Sequence, residues 1–149
     1  MAGALYEEVK ISQAITAAAG ASGTGTVNGA TLDMQGFDAV MAVIHFGAIA
    51  PSGDVTIKMQ QDTDSAMGSA QDLEGTGQTV GAGLDNNTFV IDLQRPRERY
   101  VRIVAARHSS NAATIGSAHY YQYNARNLPV TQGGSVTVEG WTFPAEGTA

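Results

Sequence analysis

Apolar and polar residues alternate along several short segments of the chain, and this alternation predicts β-strands. In Asp54–Asp62 the apolar residues occupy every second position, which places them on one face of a strand. The segment Phe37–Gly47 is apolar almost throughout and predicts a central strand that is buried on both faces. Four further segments also read as strands: Asn87–Gln94, Arg99–Arg107, Ser117–Arg126 and Gly134–Phe143.

Turn-forming residues such as those of Pro51–Asp54 separate the strand-like segments, and no segment has a strong helical period. Strands with turn signals every ~8–12 residues are typical of β-sandwiches. The sequence therefore predicts an all-β, single-domain antiparallel β-sandwich, jelly-roll-like, with extended N- and C-terminal arms. We expect residues 1–23 to form an N-terminal arm, residues 24–132 the sandwich domain, and residues 133–149 a C-terminal strand and tail.

The composition fits a protein that buries a core and uses its surface for contacts. Of the 149 residues, 43% are hydrophobic, and only 15% are charged against about 25% in typical domains. The absence of cysteine excludes disulfides, thiolate catalysis and cysteine-ligated zinc. The first ten residues lack the basic region of a secretory signal, and no apolar run approaches the ~18 residues of a membrane span. We therefore expect neither export nor a membrane partner.

Catalytic and metal-binding patterns are not found in the sequence. The histidines His45, His108 and His119 belong to no zinc or hydrolase motif, and we expect His45 and His119 to be core or inter-strand residues with one hydrogen bond each. The loop 62–74 begins like a calcium loop but lacks the required later ligands and glycine. A plain acidic hairpin loop is favoured there, and an ion site stays open. No catalytic residue, cofactor or metal ligand is predicted.

An arginine cluster stands out in a chain whose formal net charge is −6. The stretch "RPRERYVRIVAARHSS" holds five of the eight Lys and Arg residues. Its pattern predicts a hairpin, with Pro96 at the turn and Arg95, Arg97 and Arg99 at the tip. Three uses are open: ion pairs within the domain, docking onto an acidic protein surface, and nucleic-acid binding. The net charge and the small number of phosphate contacts that one loop offers disfavour nucleic acid.

We predict a protein interface at two places. Arg95, Arg97 and Arg99 are expected to face a partner, because arginine makes planar, multidentate contacts, while Arg102 is expected to be paired within the domain. The tail "VEGWTFPAEGTA" combines large aromatic residues with small and acidic ones. Its interface candidates are Trp141, Phe143 and Pro144.

Several segments resemble capsid decoration, or cement, proteins of tailed bacteriophages. They are "FDAVMAVIHFGAIAPSGDVTIKMQQDTD", "DLEGTG", "VIDLQRPRERYVRIVAAR" and the closing "PAEGTA". The resemblance implies a non-enzymatic β-sandwich or jelly roll made in the host cytoplasm and placed on the outer surface of the virion capsid. It implies binding to the phage major capsid protein as a homo-oligomer, a dimer or a trimer, with no nucleic acid and no membrane.

A second resemblance keeps another class of function open. "VTIKMQQDTD…QDLEG" followed by "RYVRI" is similar to jelly-roll carbohydrate-binding and discoidin-like modules. Those modules stack sugars on exposed aromatic residues, which are scarce between the predicted strands here. A small enzyme with an unrecognised site is the third alternative, and it has the least support.

Overall fold

The computed structural model describes residues 3–141 and 145–147, and 48% of the structure is β-strand. A short helix, α1 (Leu5–Glu8), precedes the strands, and a 3-10 turn spans Ala82–Leu84. The strands are β1 (Lys10–Ile15), β2 (Thr26–Asn28), β3 (Leu32–Asp33), β4 (Phe37–Ile49), β5 (Asp54–Asp62), β6 (Gln71–Asp72), β7 (Gln78–Gly81), β8 (Thr88–Gln94), β9 (Tyr100–Arg107) and β10 (Ala113–Ala125).

The strands form two antiparallel sheets. The first has the order β1-β10-β4-β8, and the second has the order β2-β9-β5-β6. The short strands β2 and β3 both pair with β9, and β6 and β7 both pair with β5, so each couple acts as one interrupted strand. When each couple is counted as one strand, consecutive strands lie in different sheets, with one exception. The exception is the connection from β5 to the β6/β7 couple, which stays within the second sheet. This is the winding of an eight-stranded jelly roll, and the predicted sandwich is confirmed.

The core lies between the inner faces of the two sheets. Strand β4 contributes alternate residues that are almost fully buried, and β5 and β9 supply the facing residues of the second sheet. The rings of Phe46 and Phe89 meet edge to face with centroids 5.7 Å apart. The period-2 pattern of Asp54–Asp62 is therefore the signature of a strand with one buried face, as predicted.

Strand β4 corrects part of the sequence interpretation. It is central, between β10 and β8, but the prediction that both of its faces are buried is wrong. Met41 and Val43 are half-buried and His45 is exposed, because these side chains point away from the second sheet. The continuous apolar run of β4 thus reports an apolar outer face as well as a core face.

Both predicted arms differ from the structure in extent. The segment expected to be an N-terminal arm, residues 1–23, contains β1, which pairs with β10 and buries Ala14 and Ile15. Gly23 then bridges to Ala113, so pairing extends to the end of that segment. At the other end, the predicted strand Gly134–Phe143 is not formed over residues 134–141. Ser12 and Gln13 interrupt the apolar positions of β1, so its alternating pattern is weak.

Tyr120 joins the two sheets through the core. It lies on β10, is 1% exposed, and its hydroxyl accepts the Ile103 N–H of β9 at 2.8 Å. The same hydroxyl donates to the Ala30 carbonyl at 2.9 Å. Gly29 leaves room for this arrangement, since a Cβ there would stand 2.9 Å from the Tyr120 hydroxyl. Burial raises the pKa of Tyr120 far above its ordinary value.

Candidate functional site

The arginine cluster begins in the connection between β8 and β9, which runs from Arg95 to Arg99. These two strands belong to different sheets, so the predicted hairpin is wrong and the segment is a crossover at one end of the sandwich. The apolar and polar pattern predicted both strands, but a local pattern does not determine which strands pair with each other. The crossover nevertheless gathers the arginines at one exposed place, as a hairpin tip would have done.

Backbone contacts to both sheets fix the crossover. The Arg95 N–H donates to the Asp38 carbonyl of β4 at 2.7 Å, and the Arg97 N–H donates to the Gln61 side chain of β5 at 3.1 Å. Arg95 also has a φ of 51°, in the left-handed region that non-glycine residues seldom adopt. Both side chains are exposed, and no ion pair involves either of them within residues 3–141 and 145–147. The guanidinium groups of Arg95 and Arg97 are therefore exposed, while hydrogen bonds fix the backbone that carries them.

Arg99, in contrast, is held within the domain. Its guanidinium donates to both carboxylate oxygens of Asp33, at 2.9 and 2.7 Å, and to the side chain of Gln35 at 2.6 Å. The hydrogen bond from Arg99 lowers the pKa of the Asp33 carboxyl. Buried Gln122 supports strand β3 at Asp33, because its side chain donates to the Asp33 carbonyl at 2.8 Å. This pairing is the intradomain alternative that the sequence had left open.

The other two arginines of the cluster also serve the fold. Arg102 donates to the side chain of Gln60 at 2.9 Å, so its partner within the domain is a neutral amide. Arg107 donates to four backbone carbonyls, those of Ala21, Thr24, Gly25 and Ala113, and so holds the loop that follows β1. Three of the five arginines therefore have intradomain partners.

A polar groove of about 600 Å³ lies beside the crossover. Its walls come from Gln35–Asp38, the crossover and Arg126. Arg126 pairs with Asp38 at 3.2 Å, in a contact that is largely exposed and contributes little to stability. Sequence reasoning missed Arg126 because it stands apart from the cluster, 88 positions from its partner. The groove offers several guanidinium groups at once to an acidic ligand.

The C-terminal segment is anchored before its aromatic residues. The side chain of Gln132 accepts the Ile11 N–H at 2.9 Å and donates to the carbonyls of Tyr6 and Val9 at 2.8 and 2.7 Å. Gln132 is the residue before the predicted tail, residues 133–149, and within that tail Gly140 lies close against the ring of Tyr6. Trp141 is 75% exposed, whereas the interface candidates Phe143 and Pro144 lie outside the described residues.

Two titratable groups, His45 and Asp62, have structural partners. His45 Nδ1 lies 2.8 Å from the Thr88 hydroxyl of β8, an inter-strand contact as predicted, although His45 is exposed rather than in the core. Buried Asp62 accepts hydrogen bonds from the N–H groups of Asp64 and Ser69, and these bonds lower its pKa.

In the part of the chain that is described, no group of three or more histidine and acidic residues is arranged to hold a metal ion. The described residues also include no helix with the length and apolarity that a membrane crossing needs.

Comparison with known proteins supports the fold. No protein-family model matches the chain, and neither does any curated protein sequence. A solved structure described as the PBSX exported protein XepA is similar over 95% of this chain, with a TM-score of 0.52 and 10% sequence identity. The similar region is 46% of XepA, so this chain spans less than half the length of that protein. At this identity the likeness shows a shared fold.

Proposed function

We propose that the protein is a non-enzymatic structural component of a tailed-phage virion, which decorates the outer surface of the capsid and holds neighbouring major capsid protein subunits together. The observation that carries the proposal is the pair Arg95 and Arg97, exposed on a fixed crossover without an intradomain carboxylate partner among the described residues. Two lines of similarity support the phage context. They are the segments that resemble cement proteins and the fold shared with the PBSX exported protein XepA.

An acidic protein surface is the ligand that fits the crossover. The chain carries a formal net charge of −6, which discourages contact with the phosphate backbone of nucleic acids. A local positive patch on such a protein steers it toward a complementary acidic patch and fixes its orientation on arrival. Because the two guanidinium groups are already presented by a pinned backbone, little backbone ordering accompanies docking.

The protein would stabilise the capsid if it binds one state of the capsid shell more tightly than another. A protein that binds the expanded lattice and not its precursor stabilises the expanded state by mass action. Modest contacts are amplified when one decorating unit bridges two shell subunits, because the second contact forms at high effective concentration. A jelly roll with a fixed arginine patch and an exposed Trp141 suits this role.

The test of the proposal is saturable binding to the shell. Purified protein is mixed with emptied capsids of the phage that carries its gene, in expanded and unexpanded forms, and bound protein is measured by co-sedimentation. We expect saturation at a fixed ratio to the major capsid protein on expanded capsids, a higher disruption temperature for decorated capsids, and no binding to duplex DNA at physiological salt. Absence of saturable binding to both capsid forms contradicts the proposal.

Removing residues 140–149 is expected to leave the fold intact and to weaken capsid binding about tenfold or more. The anchor at Gln132 is retained, so the melting temperature should not change. Trp141 is exposed in the free protein, and burial of one large aromatic side chain contributes about 1.5–3 kcal/mol. Trp141→Ala should reproduce much of the loss, whereas Leu128→Ala, at another exposed apolar residue, should not. Equal capsid affinity of the truncated and full chains contradicts the prediction.

A further inference from the structure

The polar groove beside the crossover is built on backbone that hydrogen bonds hold in place. The Arg126 N–H donates to the Gly36 carbonyl at 2.9 Å, and the Met34 N–H donates to the Arg99 carbonyl at 2.9 Å. These contacts tie the crossover, the turn before β4 and the end of β10 to one another. The groove measures about 600 Å³, which is within the usual range of ligand sites. Its walls therefore present their side chains from fixed positions.

The charge of the groove is opposite to that of the whole chain. Among the described residues, four arginines and two acidic residues line it, although the net charge of the chain is −6. The arginines are Arg95, Arg97, Arg99 and Arg126, and the acidic residues are Asp38 and Glu98. The groove is thus a local positive site, and such a site attracts anionic groups.

The four guanidinium groups differ in how firmly the protein itself holds them. Arg99 is held by both carboxylate oxygens of Asp33, at 2.9 and 2.7 Å, and is not available to a ligand. Arg126 has a single contact with Asp38 at 3.2 Å, and its side chain is 71% exposed. Because an exposed, single ion pair contributes little to stability, another carboxylate can replace Asp38 at a small free-energy cost.

We infer that this groove binds the carboxylates of an acidic protein segment, that Arg126 is its third binding arginine beside Arg95 and Arg97, and that Asp38 occupies Arg126 until the segment arrives. The inference rests on the proposed function in one respect, since the segment is then part of the major capsid protein. Asp38 is itself a carboxylate on Arg126, so the structure already contains the type of contact that the ligand makes.

The exchange at Arg126 favours a ligand with several carboxylates. A guanidinium group can donate two parallel hydrogen bonds to one carboxylate, whereas Arg126 donates one to Asp38. A ligand with a single carboxylate gains little over Asp38. A segment with two or more carboxylates also reaches Arg95 and Arg97, which have no carboxylate partner among the described residues, and these contacts reinforce one another. Asp38 therefore makes the groove selective for clustered acidic residues.

The first experiment uses the free, full chain and a hexaglutamate peptide, at about 20 mM salt so that exposed charges are weakly screened. The side-chain Nε–H signals of the arginines are followed by NMR during the titration. We expect the signals of Arg95, Arg97 and Arg126 to shift and that of Arg107, at the other end of β9, to stay fixed. Hexaserine, the neutral control peptide, and free acetate should shift these signals little.

Three variants test the exchange at Arg126. Arg126→Ala is expected to lower the affinity for hexaglutamate about threefold or more, because one guanidinium contact is lost. Asp38→Asn should raise the affinity about two- to fivefold, the range expected when a competing surface ion pair is removed. Asp54→Asn removes an exposed carboxylate at the opposite end of β5 and should bind like the parent. Thermal melting checks that each variant is folded.

Binding of the same variants to expanded capsids separates this inference from the proposed function. Parent binding to capsids that neither Arg126→Ala nor Asp38→Asn changes would overturn the inference and leave the proposed function standing. If no variant and no parent binds capsids while hexaglutamate still shifts Arg126, the groove inference is supported and the proposed function is wrong. Hexaglutamate that leaves Arg126 unshifted, or a short oligothymidylate that binds more tightly than hexaglutamate, would each overturn the inference.

Discussion

Replacing Tyr120 by phenylalanine is expected to lower the free energy of unfolding by about 1–3 kcal/mol, the cost of leaving buried backbone groups without hydrogen bonds. The ring and its packing are retained, but the Ile103 N–H and the Ala30 carbonyl lose their partner. Urea unfolding of the parent and the variant measures the difference. Tyr121→Phe, one residue further on and facing outward, is the control and should change stability much less.

Alkaline pH gives an independent test of the same hydroxyl. Because burial raises the pKa of Tyr120, the folded protein keeps this proton at a pH where the unfolded chain releases it. The stability contributed by the neutral buried hydroxyl is complete below about pH 10 and is lost as the pH rises, by up to about 1.4 kcal/mol per pH unit. The gap in stability between parent and Tyr120→Phe should therefore narrow between about pH 9 and about pH 11. A constant gap contradicts the assigned role.

The class of fold was predictable because its cause is local. A strand with one buried face must place apolar residues at every second position, and β5 shows this pattern from Val55 to Met59. Sheet membership has a different cause. Strand β8 pairs with β4 and strand β9 with β5, and both pairings join residues more than thirty positions apart. The sequence between β8 and β9 is compatible with a hairpin and with a crossover. Which of the two forms depends on how the strands pair in the folded core.

The same distinction explains the site. The five arginines were visible as a cluster, but their division into bound and free side chains depends on distant residues. Arg99 finds Asp33 across 66 positions, and Arg107 finds the carbonyls of a loop more than eighty positions away. Arg95 and Arg97 have no such partner in the described chain. The apolar outer face of β4 left a sequence signal, the unbroken apolar run of that strand, which was interpreted as double burial.

Replacing Arg95 and Arg97 together by alanine is expected to weaken binding to expanded capsids about tenfold or more at low salt. Each guanidinium contributes to steering and to contacts with acidic groups, and the loss is multiplied when several contacts act on one shell. The melting temperature should stay unchanged, since neither side chain contacts the core. Co-sedimentation over a range of salt concentrations measures affinity and its salt dependence.

Two comparisons separate the arginine patch from net charge and from stability. Lys10→Ala with Lys58→Ala removes two positive charges elsewhere and should leave capsid affinity close to that of the parent. Arg99→Ala removes the partner of Asp33 and should reduce stability more than it reduces binding. If the lysine pair weakens capsid binding as much as the arginine pair does, overall charge and not the crossover determines docking.

Arg95→Gly separates the contribution of the Arg95 side chain to binding from that of its backbone conformation. Glycine adopts a φ of 51° without the steric cost that arginine incurs, so the crossover should keep its shape and the protein should be no less stable. Capsid affinity should nevertheless fall, because the guanidinium is gone. Two results would contradict a role of the crossover in protein docking. The first is a glycine variant that binds capsids like the parent. The second is a parent protein that binds duplex DNA with a steep salt dependence, when the double alanine variant does not.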